Sequence, residues 1–367
     1  MARMKSRFVI GLALILLAVL PLAGGALRGF PTGFFSFPPL VVHPPQHAPF
    51  SVPVFLVFTA LGLLAVLLFL SPSWFGFSRP SALPVPAPSR FPLHGIIGYA
   101  LMLTAWICAW GPFDLPDAID RHTFFPLWLG FILTVDGIVF HRAGKSLFKN
   151  HRPVFLLLFP VSALSWWYFE LLNRLVRNWW YVIPMKFGPV HYLIYSSLCF
   201  SIVLPAVFEV RAWLASFPAM RVRYSCGPRL RIPGAAGIFA VAGLLLLPLI
   251  PLYPDPLFFA TWIAPLMLLA GALGLARVKS PFNPMKNGDW SKIVLLGLSA
   301  LICGFFWELW NFGSSPQWAY SVPYVDRFHL FAMPAVGYAG YLPFGPVCAC
   351  FWLAWTALLP ERWRCAL

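Results

Sequence analysis

Apolar residues in this chain neither alternate nor form a narrow stripe. They come in runs of about 20, each closed by proline, glycine or a basic cluster. A helix rises about 1.5 Å per residue, so such a run matches the roughly 30 Å hydrocarbon core of a bilayer. Ten runs are expected as spans: 8–27, 50–70, 93–112, 123–141, 153–172, 189–210, 234–253, 257–276, 291–310 and a segment within 328–359. The last region carries Pro334, Pro343 and Pro346 and is read as a short interfacial piece followed by a span, or as a broken helix. A secretory leader would resemble the first run, with small residues at Ala23-Gly24-Gly25. Its length and the membranous remainder instead predict a retained first helix.

Composition agrees with this pattern. Of the 367 residues, 60% are hydrophobic and 10% charged, and the mean hydropathy is +0.78. A water-soluble chain of this size cannot bury so much apolar surface. The net charge of +15 raises nucleic-acid binding, but the basic residues fall in short loops between the runs, which excludes it. With the N-terminus inside, the cytoplasmic segments hold 3, 2, 4, 5, 4 and 2 Lys/Arg, 20 of the 26. That alternation predicts a multi-pass protein of the plasma (inner) membrane with both termini cytoplasmic.

An internal duplication organises the chain. The segment 165–184, SWWYFELLNRLVRNWWYVIP, returns as 304–323, GFFWELWNFGSSPQWAYSVP. At an offset of 138 Glu170 falls on Glu308, Asn173 on Asn311 and Trp180 on Trp318; Pro184 falls on Pro323 after a one-residue slip. GIIGYA at 95–100 matches GAAGIF at 234–239, Pro116-Asp117 matches Pro254-Asp255, and FFPLW at 124–128 matches FFATW at 258–262. Each unit holds four spans, an even number, so the units are expected to be parallel repeats. The predicted fold is all-α: two N-terminal helices and a Pro-rich linker (1–92), then four-helix units at 93–232 and 233–367.

The chemistry concentrates in the duplicated motif. Glu and Asn three apart share one helix face, and an ionisable side chain in an apolar span is a functional candidate by default. Glu170, Asn173, Arg174, Trp180, Glu308, Asn311 and Trp318 form the expected substrate site; Glu170 and Glu308 are the candidate acid and base if the protein is an enzyme. Arg174 at i+4 predicts an ion pair with Glu170, whereas Phe312 stands at the equivalent place after Glu308. The alternative for both motifs is helix packing. Asp136 is expected to pair with His141 or Arg142, or to mark a proton or ion path. An interfacial belt accounts for the tryptophans at span ends, Trp166, Trp167, Trp179, Trp180, Trp307, Trp310 and Trp318, with stacking on a ligand as the sharper reading.

Other motifs fail. Seven cysteines without a CxxC pair predict neither a disulfide framework nor zinc. His43 and His47 lie in HPPQH, whose prolines predict a loop rather than a metal-binding helix. Gly144-Lys145-Ser146 lacks the first glycine of a phosphate loop, since Val139 occupies that position. No metal or cofactor is expected. Three classes remain: a transporter or permease of a small polar or amphipathic solute, a membrane enzyme acting on a lipid or lipid-linked substrate, and an accessory subunit with a protein partner. Membrane lipids are the expected surroundings in each.

Overall fold

The computed structural model describes residues 2–39, 45–78, 84, 87–182 and 187–363. The chain is mostly helical with almost no sheet. The main helices are α1 (Ala2–Arg28), α2 (Val52–Leu70), α3 (Leu93–Trp110), α4 (Phe124–Ala143), α5 (Arg152–Val176), α6 (Pro189–Ser201), α7 (Val203–Ala215), α8 (Ala235–Leu252), α9 (Ala260–Leu275), α10 (Ser291–Phe312) and α11 (Tyr341–Leu358). Among the described residues nine helical segments are long and apolar enough to cross a membrane, α6 with α7 counting as one. The protein is therefore a multi-pass membrane protein.

One expected span is shorter than its apolar run. The run 257–276 becomes α9 of 16 residues, preceded by turns from Pro254 to Phe259. Asp255 anchors those turns, accepting from the Ala48 backbone N–H at 2.9 Å and lying 2.7 Å from His47 Nδ1. His47 also lies 3.1 Å from the Arg177 carbonyl oxygen, so its ring ties loops together; His43 lies outside the described residues. The region 328–359 resolves into a small ribbon (His329–Leu330 with Met333–Pro334), a 3-10 turn (Ala335–Gly340) and α11.

Helices pair closely where small residues remove the barrier. A Cβ on Gly98 of α3 would meet the Gly130 carbonyl oxygen at 2.8 Å, and one on Gly130 of α4 would meet Gly98 oxygen at 2.7 Å. The pair α8–α9 closes in the same way, at Gly243 and Gly271. α1 is built into the bundle, packing on α8, α9 and α11 and burying Ile10, Ala13 and Leu17. α2 has no buried residue and presents its apolar surface outward. Across the centre, α7 packs on α10 and α11 packs on α5.

Between α6 and α7 the helix is interrupted. Pro205 has no N–H for Ser201, and the Ser162 hydroxyl of α5 enters the gap. It donates to the Phe200 carbonyl at 2.6 Å and accepts from Leu204 N–H at 3.0 Å. The break turns the α6 side chains Tyr192, Tyr195 and Cys199 into a central cavity.

Candidate functional site

The sites grow from the ends of α5 and α10. Each helix is followed by a short strand, β1 (Trp179–Val182) and β2 (Gln317–Tyr320), and the strands pair antiparallel. The register sets Trp179 opposite Tyr320 and Tyr181 opposite Trp318. Advancing by 139 turns the first pair into the second, so the ribbon is self-complementary under exchange of the two motifs. Trp179, not Trp180, is thus the counterpart of Trp318; the one-residue slip lies before the tryptophan.

The asparagines build this ribbon. Asn173 Nδ2 donates to the Trp179 carbonyl at 2.7 Å and Trp179 N–H donates to Asn173 Oδ1 at 3.1 Å. Asn311 makes the same two bonds with Trp318, both 2.7 Å. A carboxamide suits the place because it offers a donor and an acceptor side by side to one residue's peptide groups. Arg177, in the left-handed region at φ 59°, closes α5 by donating its N–H to Asn173 oxygen.

The glutamates sit under aromatic donors. Glu170 Oε1 accepts from Trp166 Nε1 (3.1 Å), Trp179 Nε1 (3.2 Å) and the Tyr181 hydroxyl (2.6 Å). Glu308 Oε1 accepts from the hydroxyls of Tyr320 (2.7 Å) and Tyr341 (2.8 Å), while Oε2 is buried without a partner. Burial first, and the adjacent carboxylate second, push the Tyr181 and Tyr320 phenols well above the ordinary phenol range.

The expected ion pair is not formed. Arg174 turns away from Glu170 and donates from one guanidinium nitrogen to the carbonyls of Phe34 (2.7 Å) and Ser36 (2.9 Å). Those carbonyls belong to an irregular loop with few partners of its own, so they compete successfully for a nearby cation. Asp136 likewise binds neither His141 nor Arg142. His141 meets the Ser89 carbonyl and Arg142 donates to Ser216 Oγ at 2.8 Å.

Between the two motifs lies a cavity of about 160 Å³. Its wall is largely aromatic: Trp166, Trp179, Tyr181, Trp262, Trp318 and Tyr320 face Tyr192 and Tyr195 of α6 and Tyr341 and Phe344 of α11, and among the described residues no Lys or Arg lines it. Of the seven residues singled out from sequence, Trp318 alone lines this space. Glu170 and Glu308 stand directly behind its tyrosines and tryptophans. Asn173 and Asn311 hold its ribbon roof, Arg174 ties a loop, and Trp180 pairs with Ala319 in the ribbon with its Nε1 buried and unpartnered. The belt reading fails for Trp179, Trp307 and Trp310, all buried. Trp307 and Trp310 pack on Trp128 of α4, at centroid distances of 5.2 and 4.9 Å, so they join helices instead of facing lipid.

Sequence reasoning passed over Tyr181, Tyr320 and Glu209. The tyrosines recur at the same offset of 139 as Pro184 and Pro323, a signal that extends the motif by one chemical group. Glu209 is wholly buried. It shares a depth with Asp136, and comparing ionisable residues across neighbouring spans by distance from the span end would have found the two together. No family model, curated protein or solved structure matches the chain.

Proposed function

We propose that the chain is a ten-span transporter of the plasma (inner) membrane that binds a small amphipathic solute in the aromatic cavity between its two Glu–Asn motifs. The observation that carries the reading is the meeting of the two motifs on one cavity. Sites in duplicated membrane folds tend to form where the halves meet. Indole and phenol rings give stacking surface, and hydroxyl tips give hydrogen bonds to a polar head. The buried acids behind the wall draw those hydroxyls into fixed directions and make the cavity hospitable to a solute with a positive end.

The self-complementary ribbon supports a parallel duplication of four-span units, with α9 as the short eighth span. The positive-inside pattern supports cytoplasmic termini and an outward-facing ribbon. In this arrangement the ribbon is the fixed tie about which the halves rock. The nearly apolar lining also suits an isoprenoid chain, which is what the enzyme reading requires. Against it, neither carboxylate lies in the cavity wall, where an acid and base would need to reach a reacting bond.

Native mass spectrometry of protein extracted from its own membrane, wild type beside Trp318→Ala, tests the reading. A small amphipathic species held by wild type and lost in the variant is expected. A lipid-linked species lost in the same way would replace transport with catalysis. A protein partner held by both, with no small species on either, would reduce the cavity to packing.

A further inference from the structure

A second group of ionisable side chains lies at the opposite end of the bundle, away from the ribbon. Asp136 stands seven residues before the end of α4 and Glu209 six before the end of α7, each about 10 Å from its helix terminus. Both are wholly buried on the packed pair α4 and α7, and their carboxyl groups lie close enough to interact directly.

The two acids differ sharply in what surrounds them. Asp136 Oδ1 accepts from Ser146 Oγ at 2.7 Å and from His94 Nε2 at 2.8 Å, and Oδ2 accepts the Phe148 N–H at 2.9 Å. This is the donor set of an anion. Glu209 receives none: both its oxygens are buried without a donor. His94 is in a matching position on the far side, with Nε2 on Asp136 and Nδ1 buried without a partner.

Among the described residues no neighbouring Lys or Arg is bonded to either acid. Arg142 is on Ser216 and over the Phe217 ring, and His141 is on the Ser89 carbonyl. Arg152 lies over the Phe148 ring and Lys149 near that of Phe140. Arg211, two residues after Glu209, has a buried Nε with no acceptor, and Lys292 of α10 acts near Cys350. Two adjacent carboxylates with no cation bonded to them among the described residues repel each other strongly in a medium of low dielectric constant.

We propose that Asp136 and Glu209 form a proton-binding site, in which one proton is shared between the two carboxyl groups and the donors on Asp136, His94 among them, favour its anionic form. In the loaded state the Glu209 carboxyl O–H donates to Asp136. Transfer breaks that O–H bond and forms one on Asp136, whose new O–H donates back to the Glu209 carboxylate, while the His94 Nε2–H stays on Asp136. Release to solvent leaves two adjacent anions, a state that requires rearrangement of α4 against α7. The site thus ties proton occupancy to helix packing. Among the described residues no group of three His, Cys, Asp or Glu is arranged to hold a metal ion.

Infrared spectroscopy of the full chain in lipid nanodiscs at neutral pH reads this directly. The spectrum of wild type minus Glu209→Gln is expected to show loss of one protonated-carboxyl carbonyl band. Loss of ionised carboxylate bands instead would overturn the proposal. If Glu209→Gln does not fold, Asp136→Asn serves: exchanging the acceptor should shift the frequency of the remaining protonated-carboxyl band, and an unshifted spectrum would overturn it equally. Neither result depends on what the aromatic cavity binds.

Discussion

Glu170 and Glu308 occupy matching helix ends, three residues before an asparagine that holds the same strand position, yet they are held differently. Glu170 gathers two indoles and a phenol on one oxygen. Glu308 gathers two phenols, one of them brought from α11, and leaves its second oxygen buried and bare. The counterpart of the Trp179 indole, that of Trp318, donates to the Tyr320 hydroxyl at 2.8 Å instead of to the acid. The scaffold therefore repeats while the acid's environment diverges. Conserved geometry lies in the Asn–strand clasp, and the freedom to specialise lies in the aromatic shell.

The largest effect should come from breaking the clasp. Asn173→Ala leaves a buried N–H and a buried carbonyl of Trp179 unpaired and Asn311→Ala a part-buried pair on Trp318, each costing about 2 to 3 kcal/mol. The two variants should lose stability equally, to within about 1 kcal/mol, in reversible unfolding from mixed micelles. A silent Asn311→Ala beside a damaging Asn173→Ala would show that the ribbon is held from one side and would end the equivalence.

A smaller effect separates the partners of Glu170. A double-mutant cycle of Glu170→Gln with Tyr181→Phe should give a coupling of about 1 kcal/mol, because a short bond to a buried carboxyl is lost. The cycle with Arg174→Gln should give less than about 0.5 kcal/mol, since that guanidinium holds the Phe34 and Ser36 carbonyls. The reverse order would restore the ion pair that the i,i+4 spacing suggests.

These contrasts indicate what the sequence could carry. The spans were legible because a membrane forces each segment to satisfy its own backbone, so an apolar run is a helix before any tertiary contact forms. The motif was legible because Glu and Asn recur at helical spacing in apolar surroundings. The partners were not. Arg174 had a good local acceptor in Glu170, and only the fold placed two bare carbonyls from residue 34 and residue 36 nearer. The tryptophans of α10 matched a lipid belt equally well until Trp128 arrived across the central interface. Glu209, near the end of the run 189–210, carried no local signal, and only the packing of α7 against α4 brought it beside Asp136. Each case turns on contacts distant in sequence, which periodicity cannot encode.

A last effect, of about the same size, probes the shells by pH. Tyr181→Phe should cost about 1 kcal/mol at neutral pH, and Tyr320→Phe somewhat more because it also strands the Trp318 indole. Both phenols are pushed upward in the folded chain, by burial and then by the acid beside them. The fold therefore favours the neutral phenol. Its contribution is full below the ordinary phenol value of about 10 and is lost as pH rises from there through the raised folded values. The stability margin of wild type over Tyr320→Phe, followed by thermal unfolding, should hold steady up to about pH 10 and then narrow. Tyr181→Phe should show the same onset with a smaller margin. A margin that stays constant through that range would mean the phenols ionise alike in folded and unfolded chains, and the aromatic shell around each acid would then be open to water.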